Sequence, residues 1–308
     1  SKKHRKTYNH LEAMVKSLPH AYPYYQGRII KPSARYYYNL LLQKIFTGEY
    51  ELENVYTCYC GNNNLEILSL NDRFGLPFGT KICKTCGLIL LSPRIKEKYI
   101  DRYYSEIYWG LMGFIPDDEN EELSTQNIES TKIVFELLNN HFKTLTNEIL
   151  EICEIGCGSG LNLYQIQKLF KKTGKNVQVT GCDFSESAIK KAQNKGLNVK
   201  VGGVDALGEK KYDIIIVSHI VEHFYDLDYE IKKIKALMKP DSIIYVEVPG
   251  VCNLYNNHNY EYNYNIYTVM AHIYNFNLSS LNFVMHNNGF KLLVGDEYVR
   301  SVFKISEK

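Results

Sequence analysis

The sequence predicts an α/β protein built on a doubly wound, mostly parallel sheet. An apolar run ending at Ile155 passes directly into alternating glycines at Gly156, Gly158 and Gly160. Further apolar runs, of the kind found in strands buried on both faces, alternate with helical patterns as far as about Val248. Two short strands are predicted near the end of the chain. This alternation is typical of a parallel sheet with helices on both faces.

The predicted elements can be given in order. Helices are expected from about Tyr36 to Phe46, from about Ser124 to Phe142 and from Leu278 to Asn288, the last stopped by Gly289. Pro240 and Asp241 are expected to separate a helix from the strand after it. The predicted strands are 151–155, Val177–Cys182, Asn198–Val201, Tyr212–Ser218, Ser242–Val248, Phe290–Val294 and Val299–Ile305.

The glycine turn predicts a bound small molecule. Glycines allow the backbone to turn sharply and to come close to a ligand, and Glu154 ends the strand with a carboxylate beside that turn. A dinucleotide-binding fingerprint needs glycine at the first, third and sixth positions, but the sixth position here is Leu161. The spacing therefore argues against a pyrophosphate site.

A second acid follows at the end of the next strand. Asp183 stands twenty-three residues after Gly160, where a carboxylate of a βαβ unit is well placed to accept both hydroxyls of a ribose. Further along, Val204-Asp205-Ala206 follows the third strand and His219-Ile220-Val221-Glu222-His223 follows the fourth. Four such motifs in this order are more specific than one.

These motifs resemble those of class I S-adenosylmethionine-dependent methyltransferases. The resemblance implies a seven-stranded Rossmann-like sheet, with Glu154 near the amino group of the cofactor, Asp183 on its ribose and Phe184 on its adenine. Asp205 and Ala206 match the place where the family reads the adenine amino group, and Tyr104 and Tyr108 match tyrosines over the amino-acid end. The predicted cofactor-binding residues are Glu154, Gly156, Cys157, Gly158, Gly160, Asp183, Phe184, Asp205, Ala206, Ser218, Tyr104 and Tyr108.

Four of the eight cysteines form two pairs in the N-terminal region. Cys58-Tyr-Cys60-Gly and Cys83-Lys-Thr-Cys86-Gly resemble the knuckles of a zinc ribbon, which implies a structural zinc site of four thiolates. The first pair has one intervening residue where a knuckle usually has two. A disulfide-linked or simply reduced set is the alternative. The other four cysteines lie in or beside predicted core strands.

A cysteine module followed by a methyltransferase domain resembles bacterial methyltransferases with an N-terminal zinc-binding domain, many of which act on sugars or surface-polysaccharide precursors. The expected organisation is a helical segment at 1–55, a zinc-ribbon-like module at 56–95, a Tyr-rich connector at 96–130 and the methyltransferase domain at 131–308. The acidic stretch Pro116 to Glu122 is predicted to be an exposed loop. The expected reaction is O-methylation of a sugar or nucleotide sugar, with C-methylation of a deoxysugar nucleotide as the alternative.

Histidines after the fourth strand are the candidate general bases, because imidazole has an unperturbed pKa of about 6.5. His223 is the first choice, with Glu222 orienting it or the substrate. His219 and His272 are the other candidates, His272 from its resemblance to a substrate-side position in the family.

The composition of the chain disfavours the other functional classes. A formal net charge of +2 over 308 residues gives no strong field for nucleic acid, which disfavours an RNA methyltransferase. The intact acids and His223 disfavour a binding protein that has lost its chemistry. No apolar stretch approaches the roughly 18 residues of a spanning helix, so a cytoplasmic location is expected. The sequence predicts a small-molecule substrate and gives no oligomeric state.

Overall fold

The computed structural model describes residues 30, 32–113, 125–142, 149–255, 260 and 263–306. The described residues fall into two compact units. The first unit comprises the described parts of 1–118 and 251–275, and the second comprises those of 119–250 and 276–308. The predicted acidic loop at Pro116 to Glu122 lies outside the described residues.

The second unit contains a seven-stranded, mostly parallel sheet, as predicted. Its strands are β6 (Leu150–Ile155), β7 (Val177–Asp183), β8 (Asn198–Val201), β9 (Tyr212–Ser218), β10 (Met238–Glu247), β12 (Phe290–Gly295) and β13 (Arg300–Ile305). Their order across the sheet is β12-β13-β10-β9-β6-β7-β8. Strand β13 is antiparallel to both of its neighbours, and the other pairings are parallel. The carboxyl ends of the five parallel strands therefore share one edge.

Helices pack on the apolar faces of this sheet and shield them from water. They are α4 (Thr125–His141), α5 (Leu161–Lys172), α6 (Glu186–Asn194), α7 (Leu227–Ala236) and α9 (Leu278–Asn287). Leu163, Ile166 and Phe170 of α5 are fully buried in the core at helical spacing. The central strand β9 is buried along Ile214–Val217, which explains its continuous apolar run.

The predicted start of β10 is wrong. Strand β10 begins at Met238, not at Ser242, so Pro240 and Asp241 lie within it. The register between β10 and β9 shifts between Met238 and Ile243. Proline is tolerated at such a bulge because no ladder hydrogen bond from its nitrogen is needed there.

The first unit holds the two cysteine pairs, Cys58 with Cys60 and Cys83 with Cys86. Its four-stranded antiparallel sheet has the order β11-β4-β3-β2, formed by β2 (Leu65–Ser69), β3 (Thr80–Cys83), β4 (Ile89–Leu91) and β11 (Tyr274–Asn275). A two-stranded pairing joins β1 (Leu52–Glu53) to β5 (Arg94–Ile95). The helices are α1 (Pro32–Phe46), α2 (Ile100–Tyr103), a π-helical turn (Tyr104–Tyr108), α3 (Trp109–Met112) and α8 (Tyr264–Tyr267).

Residues 251–275 belong with this first unit, whereas the sequence placed them inside the methyltransferase domain. Buried Arg73 explains the grouping: its Nε donates to the carbonyl oxygen of Thr268 at 3.1 Å and its Nη2 to that of Tyr267 at 2.7 Å. Strand β11 then pairs with β4.

Candidate functional site

The glycine turn after β6 follows a path that only glycine adopts without strain. Gly156 has φ +73° and Gly158 has φ +51°. A Cβ at Gly156 would overlap the side chain of Ile220, whose Cγ1 would lie 2.8 Å from it. At Gly158 a Cβ would meet no atom within 4 Å. The backbone of Gly158 therefore borders open space that a ligand can enter.

Glu154, at the end of β6, is a buried acid with one oxygen held in place. Its Oε1 accepts a 2.6 Å hydrogen bond from Nδ2 of Asn162. Its Oε2 is buried and has no hydrogen-bond partner among the described residues. Burial raises the pKa of Glu154 to about 7, against the lowering effect of the Asn162 hydrogen bond. Such an oxygen suits a cationic or N–H-bearing ligand.

Asp183 links the end of β7 to the glycine turn. Its Oδ2 accepts from the amide of Gly158 at 2.9 Å, and its Oδ1 accepts from the amide of Ser185 at 2.8 Å. These two bonds fix the plane of the carboxylate, and each oxygen keeps a second lone pair for another donor. Asp183 is partly exposed beside the turn.

Phe184 is 82% exposed, which is unusual for a phenylalanine. Its ring lies close to Gly203, where an added Cβ would approach the ring at 2.9 Å. The carboxylate of Asp205 does not contact Glu154 or Asp183. It pairs with Nζ of Lys233 at 2.7 Å and is 83% exposed. Ala206 lies in the same 3₁₀ turn, Val204–Leu207.

A second polar cluster lies where β9 and β10 end. Oε2 of Glu247 accepts from Oγ of Ser218 at 3.1 Å and from Oη of Tyr245 at 3.0 Å, and its Oε1 accepts from Nε of Arg300 at 3.2 Å. The carbonyl oxygen of Glu247 accepts from the amide of His219 at 2.8 Å. Glu247 therefore fixes the chain at the point where it leaves β9.

His219, Glu222 and His223 follow that point. The carboxylate of Glu222 is 2% exposed and has no hydrogen-bond partner among the described residues. Its Oε1 lies 3.6 Å from Nδ1 of His219 and 3.8 Å from Nε2 of His223. Desolvation lowers the pKa of His219, but the carboxylates of Glu222 and Glu247 outweigh it and raise that pKa above the ordinary value. His219 also has φ +56°.

The cysteines predicted to bind metal converge in the first unit. The Sγ atoms of Cys58 and Cys86 are 3.5 Å apart, those of Cys60 and Cys83 are 3.7 Å apart, and all four lie within 4.8 Å of one another. A tetrahedral zinc site with Zn–S bonds of about 2.3 Å has S–S separations of about 3.8 Å. The single residue between Cys58 and Cys60 thus does not prevent the thiols from meeting.

The environment of these thiols is uneven. Burial raises the pKa of Cys86 to about 11. Burial also acts on Cys83, but the amides of Cys86 and Thr85 outweigh it and lower the pKa of Cys83 to about 7. All eight cysteines are among the described residues, and all are free thiols.

Three other predicted residues, Tyr104, Tyr108 and His272, belong to the first unit. Tyr104 and Tyr108 pack together at 4.7 Å between ring centroids, within the π-helical turn. His272 is partly buried beside β11.

Sequence reasoning missed three residues of these clusters: Asn162, Tyr245 and Arg300. Asn162 is the second residue of α5, and asparagine is too common at helix starts to indicate a partner. Arg300 lies one strand away from Glu247 in space but 53 residues away in sequence. No helix of the described ranges is long and apolar enough to cross a membrane.

Comparison with known proteins identifies a family whose profile matches this chain. The profile described as "Methyltransferase domain" matches residues 121–294. The chain is 36% identical over 119 residues to the "Probable (S)-tetrahydroprotoberberine N-methyltransferase 2" of Papaver bracteatum, covering 36% of this chain and 31% of that protein. It is 28% identical over 162 residues to the ubiquinone biosynthesis O-methyltransferase of Pelagibacter ubique, covering 49% and 64%.

The chain spans about a third to two thirds of the length of these curated relatives. Among solved structures, the plantazolicin methyltransferase BpumL in complex with a monoazolic desmethylPZN analogue and SAH aligns with a TM-score of 0.44 and 18% identity. That alignment covers 57% of this chain and 69% of BpumL.

Proposed function

The chain belongs to the Methyltransferase domain family, and on that premise we propose that it transfers a methyl group from S-adenosylmethionine to a small polar acceptor. The observation that carries this proposal is the cluster around the glycine turn. It joins a buried oxygen of Glu154 without a hydrogen-bond partner among the described residues, an anchored Asp183 and the open space at Gly158.

In this proposal each residue of the cluster has one task. Glu154 binds the ammonium group of the cofactor, and the spare lone pairs of Asp183 accept from the two ribose hydroxyls. The exposed ring of Phe184 packs on the adenine, with Asp205 and Ala206 at its edge. Gly156, Cys157, Gly158 and Gly160 form the turn beneath the ligand, and Ser218 lies at the end of β9. From sequence resemblance alone, Tyr104 and Tyr108 are the candidate residues for the amino-acid end of the cofactor.

When bound, the cofactor supplies an electrophilic methyl group, so the protein must orient the acceptor and remove its proton. His223 accepts that proton, and the buried carboxylate of Glu222, 3.8 Å away, orients the imidazole. His219, whose Nδ1 lies 3.6 Å from Oε1 of Glu222, is the second candidate for this task. His272 is the remaining alternative.

The acceptor class is proposed from sequence resemblance. It is a sugar or nucleotide sugar methylated on oxygen, with C-methylation of a deoxysugar nucleotide as the alternative. An RNA acceptor is disfavoured by the net charge of +2. We also propose a structural zinc ion on Cys58, Cys60, Cys83 and Cys86, supported by the distances between their thiols.

Calorimetry with S-adenosylmethionine tests the cofactor assignment. Asp183→Ala removes the ribose acceptor and also frees the amide of Gly158, so we expect affinity to fall at least tenfold. Glu209→Ala removes the same charge from an exposed position of the same unit and is the matched control. Equal affinities for the two variants would refute the assignment of Asp183. A wild-type protein that does not bind the cofactor would refute the proposed function.

A further inference from the structure

Glu154 is the third member of a hydrogen-bonded chain of polar side chains that starts on another element, with a partly buried residue between two buried ones. Oγ1 of Thr131, in the middle of α4, donates to Oδ1 of Asn162 at 3.0 Å. Nδ2 of Asn162 then donates to Oε1 of Glu154 at 2.6 Å. The chain joins α4, the first turn of α5 and the end of β6. Thr131 is 6% exposed and Glu154 is 4% exposed.

The direction of this chain is fixed by its donors and acceptors. An amide oxygen accepts only, so the hydroxyl of Thr131 must be the donor to Oδ1. With the oxygen of Asn162 turned toward Thr131, its NH₂ group must face Glu154. If the amide turned over, its oxygen would face a carboxylate oxygen and both would repel. The carboxylate of Glu154, which only accepts, therefore fixes the orientation of the Asn162 amide, and the hydroxyl of Thr131, which can donate or accept, satisfies the amide oxygen on the other side.

The two carboxylate oxygens of Glu154 therefore have different roles. Oε1 is occupied by Asn162, while buried Oε2 keeps its lone pairs for a ligand. We infer that Asn162, held in place by the Thr131 hydrogen bond, is a positioning residue that holds the Glu154 carboxylate ionised and aimed for the ammonium group of the cofactor. This inference rests on the proposed function and assigns two residues that the sequence motifs do not include.

The charge of Glu154 gives the inference a pH signature. Burial raises the pKa of Glu154 to about 7, and the Asn162 hydrogen bond is the largest effect that opposes burial. The other titratable groups that act with Glu154 are the carboxylate of Asp183 and the thiols of Cys153 and Cys157, and like-charge repulsion from Asp183 raises the pKa of Glu154 further. Without Asn162, Glu154 is more protonated near neutral pH and recovers its charge only at higher pH.

The test measures the affinity of the full chain for S-adenosylhomocysteine by calorimetry between pH 6.5 and 8.5. Asn162→Ala should bind at least tenfold more weakly at pH 6.5, because a hydrogen bond to a charged group is lost. The ratio of the two dissociation constants should shrink as pH rises. Titration of the ligand's own amine affects both proteins and cancels in that ratio. Asn194→Ala, at an exposed position at the end of α6, is the matched control and should bind like wild type.

A second pair of variants keeps the test independent of any folding defect in Asn162→Ala. Thr131→Val keeps the shape of the side chain and removes the hydroxyl, whereas Thr131→Ser keeps the hydroxyl. We expect weaker binding for the valine variant, with the same pH trend, and wild-type binding for the serine variant. A ratio that does not change with pH, or equal binding by valine and serine variants, would overturn the inference while leaving the cofactor assignment intact. Failure of the wild-type protein to bind would overturn both.

Discussion

The substitutions Gly156→Ala and Gly158→Ala each add one methyl group to the glycine turn. Their comparison separates the role of the turn in folding from its role in binding. Gly156→Ala forces a side chain into φ +73° and drives its Cβ into Ile220. The unfavourable φ costs about 1–2 kcal/mol, and overpacking adds about 1–3 kcal/mol. We therefore expect the second unit to lose about 2–5 kcal/mol of its free energy of unfolding.

Gly158→Ala should behave differently, because no atom lies within 4 Å of its added Cβ. Its loss of stability should be limited to the φ cost of about 1–2 kcal/mol. Its methyl group enters the space assigned to the cofactor, so affinity should fall by about 5- to 150-fold if the clash costs about 1–3 kcal/mol.

The control is Gly174→Ala, which also has a positive φ, +82°, and no atom within 4 Å of the added Cβ, but lies after α5 and away from the turn. Urea unfolding followed by circular dichroism measures stability, and calorimetry measures S-adenosylmethionine binding. For Gly156, the double variant with Ile220→Ala should recover part of the lost stability. If Gly158→Ala binds the cofactor as tightly as Gly174→Ala, the open space at the turn is not the ligand site.

Three further predictions concern the base, the thiols and a buried acid. His223→Ala should abolish methyl transfer while leaving cofactor affinity nearly unchanged, and normal turnover in a labelled-cofactor assay would remove His223 from the mechanism. Cys60→Ser should lower the zinc content of the purified protein from about one equivalent, and metal analysis that finds no zinc in wild type would refute the metal site. Burial raises the pKa of Asp72 to about 7, whereas an aspartate of the unfolded chain releases its proton near pH 4. Between these pH values the folded state holds a proton that the unfolded state has lost, so the free energy of unfolding falls as pH rises from about 4 to 7. At about 1.4 kcal/mol per unit, this amounts to at most about 4 kcal/mol. Asp72→Asn should flatten that part of the curve of stability against pH, and an unchanged slope in urea titrations would contradict the assignment.

The sheet of the second unit could be predicted because its strands carry their own signal. Ile214–Val217 is apolar along its whole length since both faces of β9 are covered, and the glycines after β6 fit a turn that needs positive φ. The start of β10 could not be predicted in the same way. Its bulge depends on a register shift against β9, and proline at such a position has the same local signal as proline in a loop.

The partners of site residues were harder to predict than the residues themselves. Glu154 and Asp183 stand at strand ends, where local sequence indicates a ligand site. Asn162 and Arg300 matter because the fold brings them to Glu154 and Glu247, and neither has a local pattern that indicates this. The grouping of 251–275 with the first unit likewise depends on the Arg73 hydrogen bonds to carbonyl groups about 195 residues later.

That long-range grouping has a consequence for the order in which the protein can be built on the ribosome. Strand β11 and the carbonyl groups that accept from Arg73 are synthesised only after residues 119–250 of the second unit. Until residue 275 has emerged, the four-stranded sheet of the first unit lacks its edge strand β11, and the guanidinium of Arg73 lacks its carbonyl acceptors. The sheet of the nascent first unit can therefore be completed only after residue 275 has left the ribosome.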